Sequence, residues 1–276
     1  MRDKNKTAPV SVIIPCYCSS DTIERAVQSV MDQTVLPVEL ILIDDASTDQ
    51  GKTLEKLYAL QQRHGKEIRV LVIALKENLG PAGARNTGWG EASEEYLAFL
   101  DADDSWHPQK IAIQYSFMAE RRHIALSGHP CLWVEPGKGS RFLPGPLPVH
   151  RVSPYLLSFS NRFQTPSVML KRTLPYRFRD GMHYCEDYLL WRQIVAGGHE
   201  AWRIELPLAF LYKAPFGASG LSRDPWKVAK GEFTVLGSIP GCTVAEKALK
   251  PLIAAAIIVK YLRRRIISPF RRMPRS

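Results

Sequence analysis

At 276 residues and 45% hydrophobic content the chain can bury a substantial core, as one large α/β domain or two small ones, which excludes a disordered or fibrous protein. Its five cysteines, odd in number and without metal-ligand spacing, argue against a disulfide framework and a zinc site and fit a reducing, cytoplasmic setting. The formal charge of +10 gathers at the end, where Lys260, Arg263, Arg264, Arg265, Arg271, Arg272 and Arg275 occur without a single acid.

The opening MRDKNKTAP is polar, and the apolar run from Val10 to Ile14 is too short for a secretory signal, so the chain is expected to stay in the cytoplasm. From there strand-like and helix-like segments alternate. VSVII is followed by a helix over 21–33, VELILI by one over 52–63, IRVLVIA by one over 82–91, and then comes YLAFL. This alternation predicts βαβ crossovers and a mostly parallel sheet, with strands apolar on both faces because helices cover both. In the first helix Asp21 and Glu24 form a capping-box pattern, and Ile23, Ala26, Val27, Val30 and Met31 fall on one stripe. Residues 134–154, rich in proline and glycine, read as a loop or crossing strand pair between two halves. SVMLK then reads as a strand and EDYLLWRQIVA as a helix that Gly197 and Gly198 end. From Trp226 onward the pattern is helical, and the apolar run from Pro251 to Val259 is too short to span a bilayer.

Two acidic clusters follow strands: Asp44 and Asp45 in LIDDAS, and Asp101, Asp103 and Asp104 in LDADDS. In an open parallel sheet both would line the crevice at the carboxyl ends of the strands. One aspartate can cap a turn, but three carboxylates in four positions call for a cation, and magnesium or manganese needs only one or two of them beside the phosphate oxygens of a ligand. Between the clusters KENLGPAGARNTGWG offers glycines for close backbone approach and Arg85 as a fork for phosphate. It matches neither G-x-G-x-x-G nor a P-loop, which disfavours both dinucleotide binding and that class of nucleotide site.

Taken together, VSVIIPCY, LILIDDASTD, NLGPAGARNTG, YLAFLDADD and EDYLLW resemble, in order and spacing, the motifs of the family 2 glycosyltransferases, inverting enzymes with the GT-A nucleotide-diphospho-sugar transferase fold. The resemblance implies a GT-A domain over 1–225, with a nucleotide-binding half at about 8–130 and an acceptor-binding half at about 131–225, and a basic helical extension over 226–276. It implies that Pro15 and Tyr17 flank the nucleobase, that Asp45 accepts from the base, that Arg85 lies near the ribose and diphosphate, and that Asp101 holds the ribose. Asp103 would be the metal ligand and Asp187 the general base. The implied reaction is metal-dependent transfer from a nucleotide diphosphate sugar, a uridine diphosphate sugar by default, to a saccharide acceptor carried on polyprenyl diphosphate, as in bacterial surface polysaccharide synthesis. No Q-x-x-R-W follows the base, which suggests one sugar added per acceptor, and the family's Y-R-x-H-x-x-S-x-S appears only as YKAPFGASGLS.

Leu252, Ala256, Val259, Leu262 and Ile266 share a helical stripe beside the arginines. Two uses fit it: a basic amphipathic element on the cytoplasmic face of an anionic membrane, or a helix packed on the domain with a solvated arginine end. Nucleic acid is disfavoured because no aromatic basic platform accompanies the charge. A sugar-nucleotide-forming nucleotidyltransferase would need a glycine-rich basic loop where PCYCSSD stands. The remaining alternative is a non-catalytic module that binds nucleotide sugar or docks on membrane.

Overall fold

The computed structural model describes residues 7–134, 148–213, 224–238 and 244–271. The first half runs β1 (Thr7–Cys16), α1 (Ile23–Met31), β2 (Leu36–Asp44), α2 (Lys52–His64), β3 (Arg69–Ala74), α3 (Gly80–Glu91) and β4 (Tyr96–Phe99). Each predicted strand and helix of this stretch is present. It continues through β5 (Ser105–Trp106), α4 (Lys110–Glu120), β6 (Ile124–Gly128) and β7 (Cys131–Trp133), then β8 (Val149–Arg151), α5 (Pro154–Phe159), a 3-10 turn (Thr165–Ser167), β9 (Met169–Lys171), α6 (Glu186–Ala196), β10 (Glu200–Ile204) and β11 (Ala209–Leu211).

The main sheet has eight strands in the order β3-β2-β1-β4-β9-β6-β10-β8. Its first four strands are mutually parallel, β9 runs antiparallel between β4 and β6, β10 is parallel to β6, and β8 is an antiparallel edge. The continuous apolar runs feed two cores: Val12, Ile14, Leu40 and Leu42 point to one face, and Ile13, Ile41 and Ile43 to the other. A second sheet of three strands, β5-β11-β7, stands beside it. The strands β5, β7 and β8 escape pattern reading because two or three residues contain no period to detect. In the proline-rich stretch, 135–147 lies outside the described residues. Its end supplies β8 and α5, whose first turn takes Pro154 where no N–H is needed.

The α1 stripe is buried as expected, but the capping box does not form. No side chain caps the helix, and Glu24 instead meets Lys56 and Arg63 of α2.

The glycines of NLGPAGARNTGWG also differ from expectation. They do not form a ligand-cradling loop but lie inside α3, where Gly88 brings the helix onto the sheet. A Cβ on Gly88 would stand 2.6 Å from Ile13 Cγ2 and 2.9 Å from Ile43 Cδ1, and one on Gly83 would stand 2.4 Å from Leu79 Cβ. Gly88→Ala is therefore expected to destabilise the fold by about 1–3 kcal/mol through overpacking. An unchanged urea midpoint would show that the helix can simply move outward.

At the C-terminus α7 (Pro225–Ser238) and α8 (Val244–Arg271) pack on each other and on α6 and α5. Ile253 and Ile257 of α8 are buried, and the same face turns Lys260 and Arg264 onto the buried Glu232, at 2.8 and 3.1 Å. The packing face is thus not the stripe that the sequence suggests. Leu252, Val259, Leu262 and Ile266 point outward, each more than half exposed. No helix among the described residues is long and apolar enough to cross a membrane.

Candidate active site

Since β2, β1 and β4 are adjacent and parallel, the segments that leave their carboxyl ends share one edge of the sheet, which brings both acidic clusters together. Pro15 pairs with Ile43 near the end of β1, and Tyr17 beyond it is half exposed. The loops after β1 and β2 are tied: the Asp45 N–H donates to the Cys16 carbonyl (2.8 Å), the Cys18 N–H donates to Ser47 Oγ (2.9 Å), and the Tyr17 and Thr48 hydroxyls lie 3.4 Å apart.

The two aspartates that end β2 have different work. Asp45 is buried, its carboxyl pushed up by that burial, and its Oδ1 accepts from the Leu79 N–H (2.7 Å) at the entry to α3. It pins Leu79, the residue just before α3, so this oxygen is already occupied. Asp44 is equally buried, and its Oδ1 has no hydrogen-bond partner among the described residues. A buried acceptor without a donor is costly unless a ligand supplies one.

The three carboxylates of the Asp101–Asp104 loop coexist by three separate devices. Asp101 accepts from Arg85 Nη2 at 2.7 Å, and Asp103 Oδ2 meets the Lys213 ammonium at 2.6 Å. Burial, followed by the charges of Asp101 and Asp103, raises the Asp104 carboxyl to about 9, so it is neutral at pH 7. Arg25 of α1 secures the loop by donating to the Asp103 carbonyl while stacking 3.8 Å from the centre of the Tyr212 ring. Arg25 and Lys213 are missed by motif reading because they come from α1 and from the end of β11, far away in the chain.

Could this loop hold a divalent cation? No set of three or more acidic, histidine or cysteine side chains among the described residues is arranged for one. Yet Asp103 is accessible, and its carboxylate already attracts an ammonium whose own side chain is more than half exposed and free to swing away. A hard ion completed by phosphate oxygens and water needs no more than Asp103 and Asp101, so the donor set fits.

Arg85 links this edge to the second half of the chain. It is buried within α3 and stands 5.4 Å from the centre of the Phe178 ring, and its guanidinium bridges Asp101 to Glu186, the latter at 3.1 Å. Glu186 and Asp187 open α6, where Cys185 turns the chain through a left-handed conformation (φ 60°). Of the pair, Glu186 faces inward to Arg85 while Asp187 faces the segment before the 3-10 turn. Its Oδ2 accepts from Asn161 Nδ2 (3.1 Å) and Thr165 Oγ1 (3.3 Å), and its Oδ1 from the Tyr188 N–H (2.6 Å). Burial, then the charge of Glu186, pushes the Asp187 carboxyl up to about 7, the range a general base needs at neutral pH. Asn161 and Thr165 carry no sequence signal, since NRFQTPS reads as an ordinary polar loop. Ser219 and Ser222 of YKAPFGASGLS lie outside the described residues.

Comparison with known proteins speaks to the family likeness and the fold. Residues 11–136, just under half of the chain and the stretch that holds the first four motifs but for Val10, match the family model described as Glycosyl transferase family 2, so the family resemblance is borne out. A UDP-Glc:alpha-D-GlcNAc-diphosphoundecaprenol beta-1,3-glucosyltransferase, WfgD of Escherichia coli, is 28% identical over 236 residues, which cover 83% of this chain and 85% of that protein. Relatives of higher identity, 44% and 42%, align over about two fifths of the chain, which spans only 42% and 18% of their lengths. Among solved structures, S. aureus TarS 1-349 in complex with UDP-GlcNAc superposes with a TM-score of 0.66 at 20% identity, covering 92% of this chain and 72% of that one. The mannosyltransferase PcManGT of Pyrobaculum calidifontis, in complex with GDP-Man and Mn2+, gives 0.58 at 17% identity, covering 98% and 86%. Likeness at these identities speaks for the fold, which is the GT-A fold.

Proposed function

We propose that this chain, carrying the family 2 match over 11–136, is an inverting glycosyltransferase of bacterial polysaccharide synthesis that moves a sugar from a nucleotide diphosphate to an acceptor hydroxyl. The observation that carries the reading is the Arg85 bridge, which sets the Asp101 loop against the α6 turn that presents Asp187. The acceptor hydroxyl gives its proton to the Asp187 carboxylate, its oxygen bonds to the anomeric carbon, and the bond to the nucleoside diphosphate breaks with the electron pair leaving on phosphate. With one carboxylate as base and none as nucleophile, the configuration inverts in a single displacement.

Pro15 and Tyr17 would flank the nucleobase and Asp101 the ribose. Of the two aspartates after β2, the unpartnered Asp44 oxygen is the better acceptor for a base N–H, because Asp45 holds the α3 entry. Arg85 acts from beneath this surface as a positioning residue. Asp103, with Asp101, would hold a divalent cation, manganese or magnesium, which when bound neutralises charge on the leaving diphosphate. A uridine nucleotide is the default donor, given the UDP-GlcNAc bound by TarS 1-349 and the donor in WfgD's name, with a guanosine nucleotide, as in the GDP-Man complex of PcManGT, as the other donor to assay. Calorimetry with UDP should show binding that manganese strengthens at least about tenfold in the wild type and hardly at all in Asp103→Asn. Equal affinity in a chelator would discard metal dependence.

The acceptor reading, a saccharide on polyprenyl diphosphate, follows WfgD's name. It calls for a seat at the cytoplasmic face of a membrane, and the outward apolar face of α8 with Arg263 and Arg265 beside it is suited to anionic lipid. Sedimentation with phosphatidylglycerol vesicles should bring the chain down. The Leu262→Glu, Ile266→Glu double variant, and vesicles of phosphatidylcholine alone, should leave it in the supernatant. Equal sedimentation of wild type and variant would rule this seat out.

A further inference from the structure

A cleft of about 580 Å³, within the size range of small-molecule sites, lies between β8, β10 and the segment around Asn161, and the reading above leaves it unused. Asn161, whose amide holds Asp187 Oδ2, lines it, so one wall residue of the cleft touches the proposed base. The remaining lining is strongly basic: Arg151, Arg162, Arg203 and His150 stand against a single acid, Glu205. Most of these cations are answered. Arg203 pairs with Glu205 at 2.7 Å, His150 lies 3.7 Å from the same carboxylate, and Arg151 pairs with Glu200 at 3.1 Å. Arg162 is exposed, and no carboxylate among the described residues pairs with it.

A second observation points to a ligand. His129 also lines the cleft and is 1% exposed; its Nδ1 lies 2.9 Å from the Pro130 carbonyl, and its Nε2 has no partner among the described residues. Burial holds this ring neutral, its pKa pushed down to about 3; the Leu208 N–H also donates to Nδ1 at 3.4 Å, so Nε2 meets a hydroxyl as acceptor in one tautomer and as donor in the other. An unanswered guanidinium and a buried, unpartnered ring nitrogen in one cleft match a ligand with both an anionic group and hydroxyls.

We infer that this cleft is the acceptor subsite and that it takes an acidic saccharide, with Arg162 recognising a phosphate or carboxylate on it and His129 Nε2 hydrogen-bonding to a hydroxyl. The inference rests on Asp187 as the base. An anion held by Arg162 would fix the sugar beside Asn161, so that one hydroxyl comes to Asp187 and the others do not. The cleft would thereby set which position is glycosylated.

The test titrates the full chain, with UDP present to fill the donor side, with inorganic diphosphate and with glucuronate. At least one anion should bind saturably. Arg162→Ala should weaken it about ten- to hundredfold, the worth of a charged hydrogen bond, Arg162→Lys should recover part of the loss, and UDP affinity should stay unchanged in both variants. Response to diphosphate alone identifies a phosphate-bearing acceptor and response to glucuronate alone a uronic one, and either supports the subsite. Wild type that binds neither anion, or Arg162→Ala that binds them as tightly as wild type, overturns it. Arg162-dependent anion binding by a chain that does not bind UDP would sink the transferase reading and leave the cleft as an anion site.

Discussion

Asp187→Asn is expected to lower kcat by about 10²–10⁴-fold, the usual worth of a positioned base, with UDP affinity unchanged. Asparagine keeps the shape and can still meet Asn161 and Thr165, so the loss would report the missing proton acceptor and not a missing fold. The pH profile makes the test sharper. The carboxyl must be ionised to work, and it is raised to about 7, so the wild-type rate should climb as pH rises through about 7 and level off above it. That limb should vanish in the variant. The stability sign is opposite: a carboxyl whose folded pKa lies above its unfolded value binds more protons when folded, so its contribution is fully present below about 4 and is lost as pH rises through about 7. Asp187→Asn should therefore melt higher than wild type at pH 8. Full turnover by the variant would remove Asp187 from the mechanism.

Arg85→Met should have the largest effect on stability. It leaves the Asp101 and Glu186 carboxylates in place with their shared counter-ion gone, and breaking such a buried arrangement costs about 3–5 kcal/mol. A denaturant midpoint that falls accordingly, and recovers in part when Glu186→Gln is added, would identify repulsion of unpaired carboxylates as the cause. No change in the midpoint would mean that Arg85 contributes little to holding the two halves together. Activity alone cannot separate these cases, because a displaced α6 turn also displaces Asp187.

The acids of the site were legible in the chain because they stand at the ends of apolar runs, and strand ends in a parallel sheet converge. The shares of work among them were not. Asp44 and Asp45 are adjacent and chemically identical, yet Asp45 pins the entry to α3 and Asp44 keeps an unpartnered oxygen, a difference that depends on where Leu79 arrives. The glycines of the α3 segment misled for a related reason: glycine signals that a Cβ would collide, but not whether with a ligand or with Ile13. In α8 the pattern marked the outward stripe, because Lys260 and Arg264 mask the inner one, and only Glu232 explains why they point inward.

By itself the sequence determined the alternation of strands and helices, the parallel first half of the sheet and the edge on which the acids gather, since these follow from hydrophobic period and strand order, both local properties. Tertiary structure decided the rest: the antiparallel insertion of β9, the Arg85 bridge across 101 residues of chain to Glu186, the Asn161 and Thr165 contacts to Asp187, and the basic cleft beside them. Each depends on side chains far apart in sequence meeting in a low-dielectric interior, where pairing and burial rather than residue type set which carboxylate is a brace and which is a base.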